Sequence, residues 1–475
     1  MATRSHNPHD DSSIGDDLWE TGPSYLSSDK PLARLVARPV REFLRVEAAG
    51  SLLLLAAAVI ALIWANSAWA DSYDALWHTR LTLDVGPLQL DETLQHWVND
   101  ALMVIFFFVV GLEIKYELVN GDLRDPKTAA LPIVAAVGGM VVPAGLYLAL
   151  NPPGSDGGAG WGIPMATDIA FAVGVLGVLG RRIPSAARLF LLTLAIVDDI
   201  GAILVIAIFY TADLSLTWLA IAIGLLGAMI VARLLRVWSI VVYAVLGVGV
   251  WFALLESGVH ATLAGVAIGL LAPASSLLKE EVARGHARQA LRDNILDPDE
   301  LAKLRFLLRE SVSVVERLQS TLHPVSSYLV LPIFALANAG VQLGAIGEVF
   351  TEPVGLGIVL GLVIGKPVGI FLFAFLAVRL GLGRLPERTS WSMVLGLGAV
   401  AGIGFTVSLF IAGLSFPGEE LLTEEAKIAI LLASVMAAIV GVVLLLLSTR
   451  SQVLEDHPEP ESEQEAMADA REGDG

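Results

Sequence analysis

Leu194-Ala-Ile-Val-Asp198-Asp199-Ile-Gly-Ala-Ile-Leu204 sets two adjacent aspartates inside an apolar run that extends from about Ser185 to Tyr210. About 20 apolar residues at 1.5 Å rise cross a bilayer as a helix, so this run is long enough to span one. Asp198 then falls near the middle of the span. An ionised carboxylate there costs about 2.5–3.5 kcal/mol on insertion scales. Repulsion between neighbours adds to the cost of ionising both. Nothing structural in a lipid-embedded helix requires such a pair, whereas a path for protons or cations does.

The rest of the chain fits a membrane protein. Of its 475 residues, 55% are hydrophobic and only 16% charged, with a mean hydropathy of +0.71. A soluble domain on a single anchor would not reach these values. The apolar runs are long and continuous rather than alternating, which favours helices over a barrel. Cysteine is absent, which excludes disulfides and thiolate chemistry. Residues 1–30 and 455–475 carry −12 of the net charge of −18. We therefore expect acidic, disordered tails at 1–46 and 451–475 around a membrane domain at 47–450. The first apolar run starts near Ala48, too late for a signal peptide, so the first span is expected to be uncleaved.

Apolar segments lie at about 48–66, 95–119, 129–150, 160–180, 185–210, 217–235, 239–254, 258–272, 323–345, 354–378, 391–416 and 426–448. The expected fold is an all-α polytopic membrane protein of about twelve transmembrane helices. With the N-terminus in the cytoplasm, Arg124, Lys127, Arg181, Arg182, Arg233, Arg236, Arg379, Arg384, Arg388 and Arg450 all fall in cytoplasmic connections, as does the cluster from Lys279 to Arg317. The opposite loops are acidic, with Asp71, Asp74, Asp213, Glu256, Glu348, Glu352, Glu419 and Glu420. The positive-inside rule then places both termini in the cytoplasm. The outer loop 67–92 holds an alternating stretch around Gly86-Pro87, which predicts a β-hairpin at 81–90. Such a hairpin is marginal alone and is expected to pair with a second protomer. In the charged cytoplasmic loop 273–322, Leu301, Leu304, Leu307 and Leu308 recur at helical spacing, as do Val312, Val315 and Leu318. An amphipathic surface helix is the plain reading there, with a regulatory role as the alternative.

Three further features share the mid-span depth of Asp198-Asp199. They are Thr167-Asp168, Lys366 within Gly361-Leu-Val-Ile-Gly-Lys366-Pro367-Val-Gly369, and Gly402-Ile-Gly-Phe-Thr-Val-Ser408. Successive helical residues point about 100° apart, so Asp198 and Asp199 cannot both face one partner. One can pair with Lys366 while the other faces a water-filled cavity. A buried lysine can itself carry a transported proton, which makes Lys366 a candidate proton carrier beside Asp198 and Asp199, with a static salt bridge as the competing reading. Gly162 and Pro164 weaken one span, and Gly402 and Gly404 the other. If the two interrupted helices cross, their ends leave partial charges of both signs. Asp168 would then compensate N-terminal ends and Lys366 C-terminal ends. Close helix packing is the alternative reading of the glycines. Glu113 and Glu117, one turn apart near the cytoplasmic end of their span, suit an access funnel, though a solvated helix end explains them too. His260 is a candidate for titration near neutral pH or a packed, hydrogen-bonded side chain.

Several strings resemble the NhaA-type sodium/proton antiporters. These are Phe107-Phe-Val-Val-Gly-Leu-Glu-Ile-Lys115, Thr167-Asp-Ile-Ala-Phe-Ala172, Ala195-Ile-Val-Asp-Asp-Ile-Gly-Ala202, Ser257-Gly-Val-His-Ala-Thr-Leu-Ala-Gly265, Phe334-Ala-Leu-Ala-Asn-Ala-Gly340, Gly365-Lys-Pro-Val-Gly369 and Gly402-Ile-Gly-Phe-Thr406. The likeness covers about residues 40–450. It implies an electrogenic, pH-regulated antiporter of the bacterial inner membrane that exports Na+ or Li+ for protons in excess, without a cofactor. It implies that Asp198 and Asp199 bind the cation and protons in turn, with Thr167 beside the Na+ and Lys366 paired to Asp198. It places Thr167 and Asp168 where two broken helices cross at mid-membrane. Inverted-topology repeats, here spans three to five and ten to twelve, are a general property of that family and not a reading of this sequence. The likeness further implies a homodimer through the 81–90 hairpin, contact with membrane lipid and not nucleic acid, and a pH response involving Glu113, Glu117 and His260. Three departures stand out. Tyr116 replaces an arginine of a well-known member, Gln319 and Ser320 replace its acidic residue and histidine before His323, and the preceding loop is longer.

The runner-up is a sodium-coupled symporter of an organic solute, which would need a larger polar cavity. An intramembrane aspartyl protease needs facing carboxylates from separate helices, which Asp168 with Asp199 could supply though neighbours on one helix cannot, and the Gly-x-Gly-Asp string usual in such enzymes is absent. A passive channel would share the charged residues but could not drive a cation uphill.

Overall fold

The computed structural model describes residues 49–455, apart from 86–87, 212–213, 236, 238, 294–296 and 346. The tail 1–46, the chain beyond Glu455, the hairpin tip Gly86-Pro87, Asp213 and Arg236 therefore lie outside the described residues.

Helix α1 (Ala49–Ala65) turns through 116° into the short α2 (Ala70–Trp77). Strands β1 (Arg80–Val85) and β2 (Leu88–Thr93) come next as an antiparallel hairpin, with Arg80 opposite Thr93 and Val85 opposite Leu88. Asp91 is gripped by the Thr82 hydroxyl at 2.9 Å and by Arg80 at 2.8 Å. These two contacts hold its carboxyl below the usual aspartate range. A π turn at Val98–Leu102 leads into α3 (Met103–Val119).

Helix α4 (Pro126–Leu150) opens with proline in its first turn and with Asp125 capping the Lys127 N–H at 3.1 Å. The next span is interrupted. A 3-10 stretch at Gly158–Met165 passes through extended backbone into α5 (Ile169–Leu179). Helices α6 (Ser185–Phe209), α7 (Leu216–Leu234), α8 (Ile240–Ser257) and α9 (Leu263–Leu271) come after it. The charged loop folds into α10 (Glu280–Asp293) and α11 (Pro298–Glu310). Helix α12 (Val314–Val325) continues through a π turn at Ser326–Val330 into α13 (Leu331–Asn338). Helix α14 (Pro353–Leu360) continues through a π turn at Gly361–Gly365 into α15 (Lys366–Arg379). The second interrupted span is α16 (Trp391–Ala401) and α17 (Phe405–Ser415), bent by 49° at Gly402–Gly404. Helix α18 (Glu420–Glu455) closes the described chain.

Among the described residues, seven helices are long and apolar enough to cross a membrane, and nine when each bent pair counts as one span. The fold is thus an all-α membrane protein. The remaining expected segments are helical but shorter: α3 has 17 residues, α8 has 18 and α9 has 9. Two boundaries differ from the sequence reading. The span expected from 323 begins at Val314, because Ser313 and Glu316 form a reciprocal capping box and Pro324 is absorbed without a break. The repeating leucines and valines of 301–318 divide between two helices, with Val312 in the turn that separates them, since the chain leaves helical geometry between Glu310 and Val314.

Among the described residues the interior is one large apolar cluster with two smaller ones, one joining α7, α8 and α9 and the other joining Leu112 of α3 to Ala272, Ala274 and Val315. Its most extensive helix pair is α4 with α15. Gly138 and Gly369 meet there with each glycine facing the other's carbonyl, and Gly139 rests on Ile370. No side chain fits between these backbones, and their closeness sets the position of Lys366 one turn away. Gly369→Val should therefore lower the thermal midpoint in detergent, at a cost of about 1–3 kcal/mol from overpacking. An unchanged midpoint would show that the helices separate freely.

Candidate ion-binding site

The two interrupted spans meet backbone to backbone. The Asp168 N–H donates to the Ile403 carbonyl at 2.7 Å, from one break to the other. Helices cannot satisfy their own ends, so each break exposes donors on one side and acceptors on the other. The Asp168 carboxylate takes up donors from both spans. It accepts from the Phe171 N–H at 3.1 Å, the Thr406 N–H at 2.9 Å and the Thr406 hydroxyl at 2.6 Å. It thereby caps α5 and α17 together. On the opposite side, Lys366 Nζ donates to the carbonyl of Met165, which ends the 3-10 stretch. The Ser408 hydroxyl donates to the Ile163 carbonyl at 2.8 Å.

Lys366 also reaches α6, where its Nζ lies 2.6 Å from Asp198 Oδ2. Lys366 is 0% exposed, Asp198 1% and Asp199 6%. Thr167 Oγ1 stands 2.6 Å from the same Asp198 oxygen and 2.9 Å from the Ala401 carbonyl. A hydroxyl has one hydrogen, so it donates to one of these acceptors at a time. Asp198 Oδ1 and Asp199 Oδ1 are buried without a hydrogen-bond partner. Two carboxylate oxygens with open lone pairs beside a hydroxyl suit a hard monovalent cation or a proton.

Asp198, Asp199, Lys366, Thr167 and Asp168 thus form one constellation. Glu113 is on α3 within electrostatic reach of Asp199, and the Gln319 side chain stands beside it. A cleft of about 410 Å³ opens nearby, lined by Tyr116, Glu316, Gln319, Ser320, His323 and Pro324. Glu117 accepts from the Asp122 N–H at 3.0 Å. His260 is set apart from the carboxylates. It sits in the turn between α8 and α9, with Nε2 2.6 Å from the carbonyl of Tyr210, the residue that ends α6. Sequence reasoning missed the carbonyls of Met165 and Ala401, which carry no side-chain signal. It also missed the π turn that immediately precedes Lys366.

A helical bundle that buries an ion pair and a second acid where two broken spans meet is the architecture of a membrane transporter for small ions. The chain belongs to the family described as Na+/H+ antiporter 1, whose sequence model matches residues 41–445. It is similar to Na(+)/H(+) antiporter NhaA 2 of Sorangium cellulosum, with 47% identity over 440 residues, covering 90% of this chain and 93% of that protein. It is 46% identical over 433 residues to Na(+)/H(+) antiporter NhaA of Oleidesulfovibrio alaskensis, covering 88% and 96%. The antiporter NhaA of Rhodopirellula baltica is 47% identical over 419 residues, covering 86% and 94%.

Removing the shared cap tests the crossing. Asp168→Ala strands the Phe171 and Thr406 donors, each worth about 1–3 kcal/mol when left buried and unmet. The expected result is a clear fall in the thermal midpoint monitored by tryptophan fluorescence, with Asp168→Asn falling less. Equal stability of Asp168→Ala and the parent would show that the broken ends are satisfied otherwise.

Proposed function

We propose that this chain exports Na+ or Li+ across the bacterial inner membrane in exchange for protons in excess, as an electrogenic, pH-regulated secondary transporter. The observation that carries this reading is the pair of open carboxylate oxygens on Asp198 and Asp199, beside an ammonium and a hydroxyl. A carboxylate site that takes either a cation or protons couples the two by competition. Exposing it to one side at a time turns competition into exchange.

In this proposal Asp198 and Asp199 bind the cation and protons in turn, Lys366 is a further proton carrier, and Thr167 supplies a neutral oxygen to Na+. Lys366 releases Asp198 when the cation enters. Asp168 and Lys366 compensate the ends of the two crossing helices, at mid-membrane and within about twelve spans. The inverted repeats would be spans three to five and ten to twelve, with both termini cytoplasmic. Glu113 and Glu117 would tune access from the cytoplasm, and His260 would respond to pH at the far end of α6. The hairpin 81–90 would join two protomers. A symporter of an organic solute is less well supported, because the polar side chains nearest the pair already hold the crossing together.

The test uses everted vesicles with an acid-inside gradient. Na+ or Li+ should collapse the gradient, and Asp199→Asn should abolish the response while the protein remains inserted. Proton flux that persists in that variant would reject Asp199 as a carrier. Competition also predicts that the apparent KM for Na+ rises as pH falls; a KM independent of pH would sink the shared site. Deleting residues 83–90 should raise the monomer fraction in detergent more than it slows turnover, and an unchanged dimer would remove the hairpin from the interface.

A further inference from the structure

Among the described residues, helices α10 and α11 bring no side chain into the contacts of the ion site, yet their base is fastened to the bundle. The Leu278 N–H donates to the Glu310 carbonyl at 3.1 Å, and the Val315 N–H to the Pro273 carbonyl at 3.2 Å. Asn120 Nδ2 donates to the Ala274 carbonyl at 3.1 Å. The buried Glu310 carboxylate is held by Arg317 at 3.2 Å and approached by Arg309 at 3.8 Å. The module is therefore anchored at the start of α12, the first turn of a membrane-length helix.

Its outer surface carries an apolar stripe. Leu301 is 57% exposed and Leu308 48%. Seven residues apart, they lie about 20° from each other around the axis of α11. Val312, also exposed, stands just past the helix end. Arg305 and Arg309, both exposed, flank this stripe on one side, at about 40° and 80° from Leu301. Lys303 stands at about 200°, on the opposite face. Phe306 is exposed away from the stripe.

We propose that α11 lies on the lipid surface, with Leu301 and Leu308 in the acyl-headgroup boundary and Arg305 and Arg309 on anionic headgroups. Two observations choose lipid over other occupants. Leu308 is five residues from Ser313, the cap of α12, so it stays within about 18 Å of the start of that span even with the chain extended. The stripe is thus tethered within reach of the bilayer surface that α12–α13 enters. The arginines sit where long cationic side chains extend from an apolar face to phosphates. This inference rests on α12–α13 crossing the membrane and is independent of ion exchange.

The chain has no cysteine, so single cysteines are unique labelling sites. Leu301→Cys, Leu308→Cys, Lys303→Cys and, as a control in a spanning helix, Val435→Cys would carry an environment-sensitive fluorophore in active proteoliposomes containing brominated phospholipid. Labels at 301, 308 and 435 should be quenched about twofold, and the label at 303 should not. Replacing phosphatidylglycerol by phosphatidylcholine, or introducing Arg305→Glu with Arg309→Glu, should weaken the effect at 301 and 308 only. Quenching at 435 with none at 301 and 308 would overturn the docking and leave the membrane fold standing. The same result with shielding that grows with protein density would assign the stripe to a second copy and equally overturn it. Absence of quenching at 435 would overturn the membrane reading itself.

Discussion

An ammonium with no access to water must be neutralised where it stands, and much of this bundle is arranged around that need. Lys366 is fully buried, with its Nζ between Asp198 and the Met165 carbonyl. Burial of an unpaired charge is costly enough that losing one partner of such a pair typically costs about 3–5 kcal/mol. Helix α15 must therefore bring Lys366 close to α6, and the glycine contact with α4 permits it. The π turn at 361–365 adds a residue to the turn before Lys366 and so changes the direction in which the side chains of α15 point. The 3-10 stretch must end where its last carbonyl can meet the ammonium. Asp168 performs the opposite task for the helix starts, so both breaks are stabilised by side chains of the appropriate sign.

Much of this was legible. Apolar runs located helices, because membrane-length hydrophobicity has few other causes. Gly162, Pro164, Gly402 and Gly404 marked the breaks, because these residues weaken helical hydrogen bonding. The 100° rule separated the roles of Asp198 and Asp199, and the two carboxylates do differ: one is paired with Lys366 and the other is not. The hairpin register could be foreseen from alternation around a turn.

What stayed hidden has physical reasons. Main-chain acceptors such as Met165 and Ala401 leave no mark on residue identity. A π turn differs from an α turn by one hydrogen-bond register, and the apolar pattern around Gly361–Gly365 reads the same for both. The start of α12 was obscured differently. Ser313 and Glu316 form a recognisable cap, but the charged residues around it drew the boundary toward His323 and Pro324. Segments such as α9 were apolar yet too short to decide a span by length alone. Tertiary contact, not local pattern, places Glu113 near Asp199, since they lie on different helices.

The proton count at Thr167 gives the arrangement a direction. Its one hydroxyl hydrogen has two acceptors in reach, Asp198 Oδ2 and the Ala401 carbonyl. With Asp198 ionised, the hydroxyl and Lys366 can both donate to it. Oδ2 already accepts from Lys366, so a proton taken up by Asp198 has the open Oδ1 to occupy, and the Thr167 hydrogen keeps either acceptor. In the proposed exchange a cation on Asp198 would need the lone pair of Thr167 and not its hydrogen, which turns the hydroxyl toward the end of α16. The proposed cation form would thus tie the two interrupted spans together through Thr167 and the Ala401 carbonyl. A purely structural ion pair would gain nothing from that freedom and would fill the remaining oxygens of Asp198 and Asp199, which are instead buried and open.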